Sequence, residues 1–118
     1  MSNNVYWLLE LNIKPGQMGN FKTLVDEMVS SIKEESGTLN YEWALSSDQS
    51  TCHIYERYAD SAAAMVHLGN FGAKFADQFM AVLEPTRLVV FGNPDDTVKG
   101  ALEAFSPIYM SPVAGFAR

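Results

Sequence analysis

The chain has 118 residues, 47% of them hydrophobic, with fourteen acidic against eight basic side chains and a net charge of −6. That length allows one domain with ample material for a core, while the acidic balance argues against nucleic acid or an anionic membrane as partner. A single cysteine, Cys52, excludes an internal disulfide and a cysteine-rich metal site. No apolar run approaches the roughly 18 residues of a membrane span, and "VYWLL", short and broken by Glu10, does not read as a signal peptide. The expectation is a cytoplasmic enzyme or ligand-binding protein.

"VYWLLELNIKPG" reads as a strand, with Trp7, Leu9, Leu11 and Ile13 on one face and Tyr6, Leu8, Glu10 and Asn12 on the other. Pro15-Gly16 stops it. Phe21, Leu24, Val25, Met28, Val29 and Ile32 then follow helical spacing and form a stripe wide enough to cover a sheet. Gly37 stands where a left-handed C-terminal cap belongs.

"TLNYEWALS" and "TCHIYERY" read as two strands joined by the polar loop "SSDQS". Asp60 or Ser61 caps a second helix, which breaks near Gly69-Asn70 and resumes through Phe71, Phe75, Phe79 and Val82. "TRLVVFG" reads as a last strand. The order is β-α-β-β-α-β, an α+β, ferredoxin-like fold with an antiparallel sheet.

The expected domain spans 1–93. Residues 94–118 are an addition: "DDTVKGALEAF" suits a short amphipathic helix, and "SPIYMSPVAGFAR" is irregular but too apolar for a free linker. This segment is expected to pack on the domain or on a partner subunit. Helices cover one face of such a sheet, yet Tyr6 and Leu8 are apolar on the other. A sheet-to-sheet homodimer would bury them.

Motifs for nucleotide binding are absent: there is no G-x-G-x-x-G after the first strand and no P-loop. No metal is expected. His53 and Glu56, three apart on a strand, face opposite ways, and His67 has only Asn70 as a ligand-type neighbour one turn on.

His67 carries two readings. It is either a last-turn histidine favoured by the helix dipole or a proton acceptor at the edge of an apolar cavity. His53 and Tyr55 share a strand face with Arg57, either as cross-strand pairs or as groups orienting a phenol oxygen. Trp7, Tyr41, Trp43, Phe71, Phe75 and Phe79 serve as core or as the walls of an aromatic site. Glu10 and Glu56 are expected to pair with Arg57 or Arg87, a general-base role being the lesser alternative. Met28, Met65 and Met80 fit adaptable packing.

"LELNIKPGQ", the tyrosine of "LNYEWALSSD" and "HIYERYADSAAAMVHLGNFGAKF", in that order and spacing, resemble the antibiotic biosynthesis monooxygenase family over about residues 5–92. Matching positions are Pro15, Gly16, Tyr41, Glu56, Asp60, Ala63, His67 and Phe75. The resemblance implies a dimeric α/β barrel with a small pocket between sheet and helices in each protomer. It also implies oxygenation of a quinol-like or polycyclic phenolic molecule by O₂, without flavin, haem or metal. A polyphenol can donate the electrons itself once deprotonated, so the protein need only remove a proton and exclude water.

On that basis His67 is the candidate base, and Tyr55, Trp43 and Arg87 are candidates to orient or stabilise charge. Trp7, Leu9, Tyr41, His53, Phe71 and Phe75 are candidates to bind substrate. The haem-degrading branch of the superfamily uses a first-strand asparagine, a tryptophan on the second helix and a later histidine. Here Leu9, His67 and the histidine-free "KFADQF" stand in those places, which argues against haem. Related barrels also act as isomerases, lyases or non-catalytic modules for small apolar metabolites, and those readings stay open at this stage.

Overall fold

The computed structural model describes residues 2–118. Strand β1 (Val5–Ile13) leads into helix α1 (Met18–Ile32), β2 (Thr38–Leu45) and β3 (Thr51–Tyr58). Helices α2 (Ser61–Lys74) and α3 (Ala76–Val82) follow, then β4 (Leu83–Gly92), α4 (Asp96–Leu102), a 3₁₀ turn (Glu103–Phe105) and β5 (Ile108–Met110). The sheet order is β2-β3-β1-β4-β5, antiparallel throughout except between β4 and β5. Its first four strands and the helices between them make the expected ferredoxin-like α+β fold.

The alternation of β1 sends Val5, Trp7, Leu9 and Leu11 into the core. Phe21, Leu24, Met28 and Ile32 of α1 pack into the same core. The Asp60 carboxylate accepts the backbone N–H of Ala63 at 2.8 Å and so caps α2.

Several sequence expectations need correction. Helix α2 does not break at Gly69-Asn70 but runs on to Lys74. Two interior glycines each cost about 1 kcal/mol relative to alanine, and tertiary contacts outweigh that cost. His67 is therefore a mid-helix residue, not one of a last turn. Gly37 is not a left-handed cap: the chain turns after Ile32 through the Glu35 N–H to Ile32 carbonyl bond, and positive-φ glycines fall at 16, 92 and 115. What Gly37 provides is closeness, since a Cβ there would fall 2.5 Å from that of Ala63 on α2. Leu39 leaves the core face because the β2–β3 register shifts between Thr38 and Asn40.

The C-terminal segment packs against the domain. The Asp95 side chain caps α4 through the Val98 N–H at 2.9 Å, and Val98 and Leu102 are buried in the main core. Ile108–Met110, expected to be irregular, adds a fifth strand beside β4. On the outer face of the sheet, Tyr6 stacks on Phe91 at 5.2 Å and meets Tyr55 edge-on at 6.4 Å.

Candidate active site

The period-two pleat of β3 sends Cys52, Ile54, Glu56 and Tyr58 to the core face. A carboxylate in that row must find partners, because an unpaired buried charge is strongly disfavoured. Glu56, 4% exposed, finds two. The Tyr58 hydroxyl donates to its Oε1 at 2.5 Å, and His67 Nε2 from α2 lies 3.1 Å from the same oxygen.

The other face of the imidazole is held from the α1–β2 connection. His67 Nδ1 lies 3.0 Å from Glu35 Oε1. Glu35 also accepts Thr38 Oγ1 at 2.8 Å and Asn70 Nδ2 at 3.0 Å. Gly37, two residues on, lets this connection approach α2 closely enough for these contacts. Both ring nitrogens of His67 thus face carboxylates.

Burial alone would push the His67 pKa down, but hydrogen bonds and charge from Glu35 and Glu56 outweigh it and hold it up at about 9. At neutral pH the ring is an imidazolium. For Glu35 burial pulls upward, and its bonds to His67, Asn70 and Thr38 win, leaving its pKa below the ordinary 4.5. Burial first, and then the charge of Glu56, push the Tyr41 and Tyr58 phenols above their ordinary 10. Both are neutral donors.

This cluster forms one wall of an apolar cavity between sheet and helices. Trp7, Leu9 and Leu88 line it from the central strands, Tyr41 and Glu56 from β2 and β3, and His67, Leu68, Phe71 and Phe79 from the helices. Leu102 and Phe105 of the C-terminal segment complete it. Its volume of about 40 Å³ holds no more than a few waters.

The structure brings five sequence candidates to this cavity: His67, Trp7, Leu9, Tyr41 and Phe71. Trp43 stands beside Tyr41, with ring centroids 6.1 Å apart, but lines a neighbouring surface cleft against Phe21 and Val25 of α1. Phe75 is buried in the core. Tyr55, His53 and Arg87 pair in register with Leu8 and Glu10 on the outer face of the sheet, away from His67. There Glu10 meets Arg87 at 3.5 Å and His53 at 3.6 Å. Glu56 pairs with His67 and Tyr58 rather than with the arginine expected of it.

Sequence reasoning did not reach Glu35, Tyr58, Asn70, Leu102 or Phe105 as site residues. The signal for Tyr58 was present: it shares the apolar face of β3 with Glu56 at a two-residue step. Among the described residues no group of three or more His, Cys, Asp or Glu side chains could hold a metal ion. Among the described residues no helix is long and apolar enough to cross a membrane.

The family model for antibiotic biosynthesis monooxygenase matches residues 5–76. The chain belongs to the antibiotic biosynthesis monooxygenase family. Glu35, Glu56 and His67 lie inside the matched family region, whereas Leu102 and Phe105 lie beyond it. Among solved structures, MupZ from Pseudomonas fluorescens is similar with a TM-score of 0.87 at 20% identity, over 99% of this chain and 96% of MupZ. That likeness includes the C-terminal segment.

SnoaB, a cofactor-independent oxygenase from Streptomyces nogalater, is similar at 0.67 and 12% identity, over 80% of this chain and 96% of SnoaB. Rv0793 from Mycobacterium tuberculosis gives 0.61 at 22%, over 79% of this chain and 97% of Rv0793. At these identities the likeness to the solved structures is one of fold. No curated protein matches.

Proposed function

We propose that this family member is a cofactor-independent monooxygenase acting on a quinol-like or polycyclic phenolic molecule. The observation that carries the reading is Glu56, a carboxylate at the wall of an apolar cavity, set directly across from Tyr41 in the β2–β3 register. SnoaB, with the same fold, is a cofactor-independent oxygenase, which supports the reading.

The reaction asks little of the protein. Glu56 takes a proton from the hydroxyl or activated CH₂ of a bound phenol. The resulting anion is rich enough in electrons to reduce O₂ itself. One oxygen atom becomes a new carbonyl oxygen on the substrate carbon, and the other leaves as water with two hydrogens lost by the substrate, both from an activated CH₂ or one from a ring CH and one from a hydroxyl. The substrate is the only reductant. Tyr41, held neutral, donates a hydrogen bond to the substrate oxygen and stabilises its anion. His67, already protonated and turned to two carboxylates, is assigned the role of counter-ion to Glu56 rather than that of base.

The cavity as it stands is far below the roughly 300–1,000 Å³ of ordinary ligand pockets. Entry of an aromatic substrate therefore requires Leu102 and Phe105 to withdraw, and their return excludes water from the anion. A second copy of the chain is proposed to cover Tyr6, Leu8 and Phe91 on the outer face.

Oxygen consumption by chelator-treated protein, with anthrone and substituted hydroquinones as substrates, tests the reading. Uptake above autoxidation that falls about 10²–10⁴-fold in Glu56→Gln, the range for losing an acid–base group, is the expected result. Uptake equal to autoxidation across the panel, or uptake indifferent to Glu56→Gln, would overturn it.

A further inference from the structure

Glu35 lies outside the cavity, yet it is more heavily bonded than a chance surface carboxylate. Its Oε1 accepts from Thr38 Oγ1 and faces His67 Nδ1, while its Oε2 accepts from Asn70 Nδ2. Its side chain is only 6% exposed. The chain makes a close approach at Gly37 to bring it there. Such an arrangement disfavours stability unless every member is satisfied, and here its one contact with the cavity runs through His67.

We propose that Glu35 is a positioning residue: it fixes the His67 ring with Nε2 turned to Glu56 and keeps that ring charged, so that Glu56 keeps a positive partner inside an apolar cavity. The inference rests on the reading of Glu56 as the base. Its physical content is separate, namely that the carboxylate on the far side of His67 decides the charge on the ring.

The geometry leaves few other groups to do this. From β3 the ring is faced by Glu56 and Tyr58, with the Tyr58 ring 5.1 Å away. From β2 it is faced by Tyr41 at 5.7 Å. From its own helix, Asn70 reaches Glu35 rather than the ring. Both tyrosines are neutral, so Glu35 is the one negative charge besides Glu56 in contact with the imidazole. With Glu35 neutral, the ring would be held by Glu56 alone, against the same burial. A His67 that loses its proton leaves Glu56 beside a neutral ring, without its positive partner.

Glu35→Gln separates this from a merely structural role, because glutamine keeps the length and can still accept from Nδ1. With ring-¹⁵N-labelled histidine, the His67 resonances are assigned by their loss in His67→Gln and followed from pH 5 to 10. In Glu35→Gln the titration midpoint of His67 is expected to fall by at least about one pH unit, as for removal of an adjacent opposite charge. In the same variant kcat should fall, with KM little changed.

An unmoved midpoint in folded Glu35→Gln would overturn the proposal. Should that variant fail to fold, Asn70→Ala, which strips one donor from Glu35, carries the test. Faster exchange of the Nδ1 proton and a smaller fall in the midpoint are expected, and wild-type values for both would overturn the proposal. The NMR titration needs no substrate. A shifted midpoint without oxygen uptake therefore sinks only the oxygenase reading, and uptake without a shift sinks only the role of Glu35.

Discussion

His67 Nε2 stands 3.1 Å from Glu56 Oε1 while Nδ1 stands 3.0 Å from Glu35 Oε1, so one buried imidazolium separates two carboxylates that come from segments far apart in the chain. The ring is a strut between the α1–β2 connection and the middle of β3, as well as a wall of the cavity.

Stability should respond to pH through that strut. The His67 pKa rises from 6.5 to about 9 on folding, so its contribution is fully present below pH 6.5 and is lost as pH rises through about 9. Glu35 moves the other way: its pKa is lowered from 4.5, so its contribution is present above 4.5 and lost as pH falls below it. Thermal melts should therefore show Tm declining between pH 6.5 and 9, and His67→Gln should remove most of that decline while lowering Tm at neutral pH. A wild-type Tm that is flat across this interval would contradict the charged strut.

Tyr41 offers a finer test of the chemistry. Its phenol is held neutral by burial and by Glu56, and it lines the cavity opposite that carboxylate. Tyr41→Phe keeps the ring and removes the donor. Losing one donor to a developing oxyanion lowers kcat about 10²–10³-fold, with little change in the His67 titration. An unchanged kcat would show that the substrate oxygen is held elsewhere.

The roof of the cavity should govern which substrates fit. Phe105 comes from the 3₁₀ turn and lines the cavity together with Leu102, but Leu102 also belongs to the main core. The two variants should therefore behave differently. Phe105→Ala, at a partly buried ring packed against that core, should lower Tm less than Leu102→Ala and improve kcat/KM for tricyclic over monocyclic phenols. Leu102→Ala should destabilise by about 2–5 kcal/mol, the usual effect of emptying a buried leucine site. Equal selectivity in Phe105→Ala and wild type would remove the 3₁₀ turn from the entrance.

How much of this was legible in the sequence depends on the range of the interaction. The alternation of Trp7, Leu9 and Leu11 and the helical stripe from Phe21 to Ile32 are local periodicities, and both gave the right elements and the right buried faces, save that Val29, counted in the stripe, is exposed at its edge. His67 was legible as a cavity residue but not as a strut, because Glu35 is 32 positions away and reaches it only after a turn that pattern does not foretell. His53 and Tyr55 were legible as sharing one strand face, and Arg87 as a pairing partner for a mid-strand glutamate. Which face held the cavity was decided by packing of the helices. The break expected at Gly69 was a propensity argument, and tertiary contacts across α2 overrode it. Phe105 ended "DDTVKGALEAF", legible as a short amphipathic helix, but where that helix would pack had no local trace.

Assembly can be tested apart from chemistry. Tyr6, Leu8 and Phe91 lie on the outer sheet face, half-buried within one chain, with Tyr6 stacked on Phe91. If two copies bury this face, Leu8→Asp should convert a dimer to a monomer by light scattering and lower Tm, since a carboxylate there would be buried without a partner. A monomeric wild-type protein would remove the assembly from the proposal and leave the cavity untouched.

Gly37 ties the backbone to the site. A Cβ at 37 would lie 2.5 Å from the Ala63 Cβ, so Gly37→Ala must push the α1–β2 connection away from α2. Overpacking of this kind costs about 1–3 kcal/mol. The same displacement withdraws Glu35 from His67, so the His67 titration midpoint should fall together with Tm. Adding Ala63→Gly removes the opposing methyl. Though a mid-helix glycine is itself unfavourable by about 1 kcal/mol, the double variant should recover most of the His67 midpoint and lose less stability than the two single changes added together. Strict additivity would mean that the closeness of Gly37 to Ala63 does not set the position of Glu35. Recovery would show that one missing methyl group on the backbone is what allows the second carboxylate to reach the ring.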